Sequence, residues 1–289
     1  MTGRVRRFEG RARKPLDAVH AGRGHVFAGR SVRLRSAGVR TPLLTYDERR
    51  DEISYPWIPG RSGAEWLRGR LAESSGLDRM GAVGSACAEL LYPLIRLHTT
   101  SPQGLALAPF DPWHRIRPRI DALARASAEA VAGPVPDAAV RAFEALEEAL
   151  GVAVGQSAMN GWGPIHGDFH IGQVLFESGA GQAWLLDADD LALGPPESDL
   201  GNFVAHLATS DHVGAAPPLA AFKTLAGLAV RHYGELSGRE VAAGEVDTYG
   251  AVALLRRALK LHERGAAPDR VNAISAAALS SARRAGRIR

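Results

Sequence analysis

The segment His166-Gly-Asp168-Phe-His170-Ile-Gly-Gln173-Val-Leu-Phe176, followed by Trp184-Leu-Leu-Asp187-Ala-Asp189-Asp190, decides how this chain reads. Two short apolar runs, Val174–Phe176 and Ala183–Leu186, flank Ser178-Gly-Ala-Gly181, a pattern that predicts a β-hairpin. A loop rich in acids and histidines lies before the first run and an acidic loop follows the second. The hairpin holds these loops side by side, so Asp168, Gln173 and Asp187 converge. Three oxygen-bearing side chains beside a glycine-permitted loop suit a hard cation such as Mg²⁺, which binds through one or two carboxylates plus phosphates and keeps several waters.

Other uses of the same residues compete with this reading. His166, Asp168, His170 and Asp187 have the ligand types of a transition-metal hydrolase, but Phe169 sets them on opposite faces of an extended loop. No second His-x-His or His-Asp pair completes such a site. His170 reads as a loop-satisfying histidine, Asp190 as a solvated or turn residue, and Asp189 as either a second metal contact or a structural acid.

Away from the hairpin the chain divides in two. Upstream, Leu43–Tyr46 and Ile53–Trp57 read as short strands around the charged turn Asp47–Glu52, and Pro59-Gly60 marks a hinge. From Glu65 the period becomes helical. Leu90, Leu91, Leu94, Ile95 and Leu97 form an apolar stripe, which Pro93 is expected to interrupt. Residues 119–131 and 137–154 read as helices separated by Pro134 and Pro136. A helical cluster over 197–209, 217–234, 243–263 and 270–284 closes the chain.

Composition bounds the function. With 289 residues, 46% hydrophobic and 23% charged, the chain has an ordinary globular composition. One cysteine, Cys87, excludes an intrachain disulfide, and no apolar run suggests a membrane span or a signal peptide. The expected location is cytoplasmic. Residues 1–40 carry eleven Arg or Lys against two acids, a net +9 that leaves −5 for the rest of a chain of net charge +4. Only Phe8 and Phe27 offer stacking faces in that basic stretch, so nucleic acid is an unlikely partner.

The motifs resemble those of the aminoglycoside phosphotransferase family, small-molecule kinases with the protein-kinase fold. The resemblance rests on His-Gly-Asp-Phe-His-x-x-Gln-Val-Leu, then Leu-Leu-Asp-x-Asp, then Gly194-Pro-Pro-x-x-Asp199-Leu-Gly, and covers about residues 41–265. It implies an α+β, two-lobed protein-kinase-like fold: a reduced front lobe over residues 1–56, and a mainly helical lobe over 57–289 carrying the catalytic hairpin. It also implies transfer of the γ-phosphate of ATP, with Mg²⁺, to a hydroxyl of a small polar molecule. By that likeness Asp168 is the catalytic-loop aspartate and His166 orders its loop. Gln173, in place of the usual asparagine, joins Asp187 and Asp189 at the metal. Asp199 braces the loop. A purine is expected against the backbone of Pro56 and Ile58.

The front lobe departs from this pattern. Kinases of this kind need a strand lysine on the phosphates and a helix glutamate to hold it, yet residues 18–46 contain no Asp or Glu. The strand cation is either Lys14, awkwardly followed by Pro15, or an arginine of the Arg4-Val-Arg-Arg-Phe8 stretch, with Arg7 the candidate. Gly22-Arg-Gly24-His-Val-Phe-Ala-Gly29 reads either as the start of a helix, which is preferred, or as a glycine loop before a strand at Ser31–Arg35. Either way the lobe is incomplete, so a partner subunit, or the basic arm folded over the phosphates, is expected to complete it. The alternative is a catalytically silent kinase-like protein that binds a ligand or partner in the same cleft.

Overall fold

In the computed structural model, the first described residues form a tight β-hairpin, β1 (Arg6–Phe8) and β2 (Arg11–Pro15), turned at Glu9-Gly10, both with positive φ. The structure describes residues 5–73, 79–128, 137–156, 161–179, 183–210 and 218–285. The start of the basic stretch is therefore no free arm from Val5 onward, because Arg6, Arg7, Arg11 and Arg13 are built into a sheet. Helix α1 (Gly24–Ser36) follows, then β3 (Thr45–Asp47) and β4 (Glu52–Pro56). The four strands form an antiparallel sheet in the order β1-β2-β4-β3. Pro15 is the last residue of β2. Pairing continues past it through Leu16 N–H to the Asp51 carbonyl at 2.9 Å, so its missing N–H does not break the sheet's interior.

Ser31–Arg35 lies inside α1, which excludes the strand alternative. Of the three glycines before it in the motif, Gly22 precedes the helix and Gly24 opens it, so only Gly29 weakens the interior.

The sheet ends at Pro56. The next strand, β5 (Gly60–Ser62), had no counterpart in the sequence reading; it pairs instead with β7 (Val174–Glu177), which pairs with β8 (Ala183–Leu185). The predicted hairpin thus supplies two strands of a three-stranded sheet, with β7 in the middle and β8 at one edge. Its tip at residues 180–182 lies outside the described residues, as do Pro134 and Pro136. A second pair, β6 (Gly163–Ile165) with β9 (Ala192–Gly194), brackets the hairpin and brings the loops at its two ends together.

Helices form the rest: α2 (Gly63–Glu73), α3 (Arg79–His98), α4 (Arg117–Ala128), α5 (Asp137–Gln156), α6 (Pro196–Ala208), α7 (Pro218–Ser237), α8 (Ala243–Glu263) and α9 (Pro268–Ala285). Pro93 does not end α3. Leu90, Leu91, Leu94 and Leu97 on either side of it are fully buried, and that packing outweighs one lost backbone hydrogen bond. The core lies where α6, α8 and α9 meet. Helices α6 and α8 cross in backbone contact: a Cβ on Gly201 would lie 2.4 Å from Gly250 N, so only glycine permits this approach. Among the described residues, no helix is long and apolar enough to cross a membrane.

Candidate active site

A cavity of about 480 Å³ opens between the front sheet, α1 and the β7–β8 hairpin. Lys14 shares its strand face with buried Ala12 and reaches into this cavity. Its ammonium bridges the carboxylates of Asp187 and Asp189. Burial works against that charge, but the two carboxylates override it and raise the Lys14 pKa. Burial raises the Asp189 carboxyl, and Lys14 opposes that rise. Asp187 adopts a left-handed conformation (φ 58°, ψ 46°), which aspartate tolerates better than most residues. Gln173 Nε2 donates to Asp187 Oδ2 at 3.1 Å.

This donor set fits Mg²⁺. It comprises two carboxylates and an amide, all hard oxygen donors once the Gln173 amide turns its oxygen inward, and the two carboxylates already flank a cation, the Lys14 ammonium. Among the described residues, no group of three or more His, Cys, Asp or Glu side chains is arranged to hold a metal. The four-residue hydrolase set accordingly does not assemble.

The loop carrying Asp168 is held from behind. Asp199, near the start of α6 and 1% exposed, accepts from His166 N–H at 2.6 Å and from Gly167 N–H at 2.9 Å. It also pairs with His98 Nε2 at 3.0 Å, and His98 in turn meets the Tyr233 hydroxyl. His166 is fully buried, and its Nε2 lies 2.8 Å from the Leu186 carbonyl, which ties the loop to β8. Gly167 has φ +80°, and a Cβ there would lie 2.4 Å from the Asp190 carbonyl, so the turn requires glycine.

Contrary to the convergence that the sequence predicts, Asp168 does not join Gln173 and Asp187 on the cavity wall but is paired on both sides. Arg115 Nη1 donates to one oxygen at 3.0 Å and Arg256 Nη2 to the other at 2.6 Å. Asn202 orients Arg256 by accepting at 2.7 Å. Burial alone would raise this carboxyl, but Arg256 and Arg115 hold it well below the usual carboxylate range. Beside it, the rings of His170 and His206 stack at 4.5 Å; burial pushes His170 down to about 4 and His206 well below its ordinary value.

The remaining expected residues divide. Lys14, Gln173, Asp187 and Asp189 line the cavity, as does Ile58. Pro56 does not line it, although Tyr55 and Trp57 on either side do. Arg7 is exposed on the outer strand, its guanidinium 5.2 Å from the Trp57 ring centre, so Lys14 is the strand cation. Helix α1 indeed lacks an acid to hold Lys14. It presents Arg30, 4% exposed, whose Nε and Nη2 bind the carbonyls of Leu105 and Ala106. Arg30 lines the cavity, and its Nη1 is buried with no partner among the described residues.

Arg30, Arg115, Asn202 and Arg256 were missed. For Arg30 the signal was present: it falls on the Phe27–Ser31–Leu34 face of α1, where a charge is out of place. Asn202 lies three residues after Asp199, one helical turn along α6. Arg115 and Arg256 carry no local signal, because they meet Asp168 only through tertiary packing.

No curated protein matches the chain significantly. Solved structures do. A choline/ethanolamine kinase family protein from Mesorhizobium loti aligns over 99% of this chain and 85% of its own, with a TM-score of 0.60 at 18% identity. A choline kinase from Streptococcus pneumoniae aligns over 98% and 90% (TM-score 0.59, 13% identity). A spectinomycin phosphotransferase, solved with ADP and spectinomycin, aligns over 96% and 90% (TM-score 0.58, 13% identity). At these identities the likeness establishes the protein-kinase-like α+β fold. The model of the phosphotransferase enzyme family matches residues 11–241, from β2 through the hairpin to the end of α7. With that match over most of its length, the chain belongs to the phosphotransferase enzyme family.

Proposed function

We propose that this protein transfers the γ-phosphate of ATP to a hydroxyl of a small molecule. The observation that carries the proposal is the meeting, across one cleft, of Lys14 with Asp187 and Asp189, beside a loop that presents Asp168. Phosphoryl transfer asks mainly for positioning and charge neutralisation, and these residues supply both.

The purine lies between the hinge and the apolar wall formed by Ile53 and Leu175. Trp57 N–H is committed to the Gly10 carbonyl at 2.8 Å, which leaves Ile58 N–H, on the cavity wall, for the base. Lys14 turns from the carboxylates to the phosphates, and Arg30 adds a second, fixed cation at their side. Asp187, Asp189 and Gln173 would hold Mg²⁺, which would supply positive charge to the phosphate oxygens.

Asp168 accepts a hydrogen bond from the acceptor hydroxyl and aims its oxygen at Pγ. As the O–Pγ bond forms, the bond from Pγ to the β-phosphate oxygen breaks and ADP leaves, and the hydroxyl proton passes by way of Asp168 to solvent. Held low by two arginines, Asp168 is a weak base, so orientation is its main contribution. The test is ATP turnover against a panel of hydroxyl compounds. Asp168→Asn should lower kcat about a thousandfold, within the usual range for such groups, with melting temperature preserved. Equal turnover by wild type and variant would leave only a binding protein with this fold.

A further inference from the structure

The two ends of the cleft differ in charge. Around Lys14 the neighbours are acids. Around Asp168 they are cations, and this is where an acceptor must place its hydroxyl. Arg256 and Lys260 are one turn apart on α8, and Arg115 and Arg119 flank the start of α4, so two basic rows face each other across Asp168. Lys260 is exposed, though only in part, and among the described residues its ammonium makes no hydrogen bond or ion pair. Burial first, and then the neighbouring Arg264, Arg256 and Arg119, depress Lys260, while Asp168 opposes the shift.

The acids here are already engaged. Asp168 is shared by two guanidinia, Asp190 is paired with Arg115, and Glu263 lies 3.0 Å from Arg119 Nε. A guanidinium fork matches a carboxylate or phosphate and repels an ammonium group.

We propose that the acceptor is an anionic hydroxyl compound, bearing a carboxylate or phosphate group that docks on Arg256, Arg115 and Lys260. This rests on the phosphotransferase reading. On docking, the anion takes over an arginine contact from Asp168 and frees a carboxylate oxygen for the hydroxyl. Cationic acceptors lack the group that could make this exchange.

The test uses the full chain, [γ-³²P]ATP and a deproteinised small-molecule extract of the source cells, split on an anion exchanger before the reaction. Label should enter products of the retained, anionic fraction. Lys260→Glu, a surface change that spares the fold, should raise the half-saturating amount of that fraction at least tenfold, with ATP binding measured without acceptor held within twofold. Label confined to products of the unretained fraction would overturn the inference and leave the phosphotransferase reading standing, as would a Lys260→Glu enzyme with unaltered acceptor dependence. If no fraction is labelled, and wild type and Asp168→Asn consume ATP alike, the phosphotransferase reading fails and the inference fails with it.

Discussion

The front sheet and the hairpin region meet at one cleft but are held by different forces. Around the hairpin, a buried carboxylate on α6 binds backbone N–H groups of the loop bearing Asp168, and a histidine and a tyrosine back it. At the front, Lys14 reaches across the cleft to side chains of the other half, and the one buried cation of α1, Arg30, leaves a donor unpaired. Buried hydrogen bonds to backbone fix a shape, whereas ion pairs across a solvent-accessible cleft can be exchanged for a ligand. The loop bearing Asp168 is therefore held rigidly, and on the proposed function the side that takes the nucleotide is the part that rearranges.

The largest expected effect tests the rigid half. Asp199→Ala leaves two loop N–H groups and His98 without their acceptor, which should cost about 3–5 kcal/mol of stability and abolish turnover. Thermal unfolding and a kinetic assay on the same preparation read both. Stability within 1 kcal/mol of wild type, by order-of-magnitude standards for a surface change, would show that the loop is held otherwise.

Acid should weaken the same half. The folded pKa of His170 is about 4 against an ordinary 6.5, so the unfolded chain binds a proton first as pH falls. Stability should be full above pH 6.5 and decline toward pH 4, by at most about 3 kcal/mol. The carboxyl of Asp168, held low, loses its stabilising effect in a separate, more acidic window below its ordinary value of 3.8. Chemical denaturation across this range should show the upper decline, and His206→Phe should shrink it. A flat profile from pH 7 to 4 would contradict the buried neutral pair.

Effects at the front should fall on ligand affinity. Lys14→Met should weaken ATP binding roughly ten- to a hundredfold, the usual worth of a charge-assisted contact, with little change in melting temperature. Arg30→Gln should have a smaller effect of the same kind, about tenfold at most, because two of its donors are committed to the Leu105 and Ala106 carbonyls. An unchanged ATP affinity in Arg30→Gln would make Arg30 a purely structural tie between α1 and that loop.

The same contrast explains how much was legible in the sequence. The hairpin, Asp168, Asp187 and the brace at Asp199 lie within 34 consecutive residues, so short-range pattern and motif spacing reach them. The strand at Gly60–Ser62 was not legible, because its pairing partner is more than a hundred residues away. Lys14 looked misplaced before Pro15, and only the sheet register shows that the proline ends the strand. Arg115 and Arg256, which hold Asp168, come from 53 residues before it and 88 after, and no local pattern marks either. What is local in sequence is the scaffold of the chemistry. What sets its charge arrives through the packing of α6 and α8.

The most direct test of the account is a calorimetric titration of ATP into the protein, with and without Mg²⁺, alongside Asp187→Asn. The account predicts binding to wild type that strengthens at least tenfold with Mg²⁺, an order-of-magnitude threshold equal to about 1.4 kcal/mol, and an Asp187→Asn protein that has lost the Mg²⁺ dependence. Affinity that is indifferent to Mg²⁺ and the same in both proteins would contradict it.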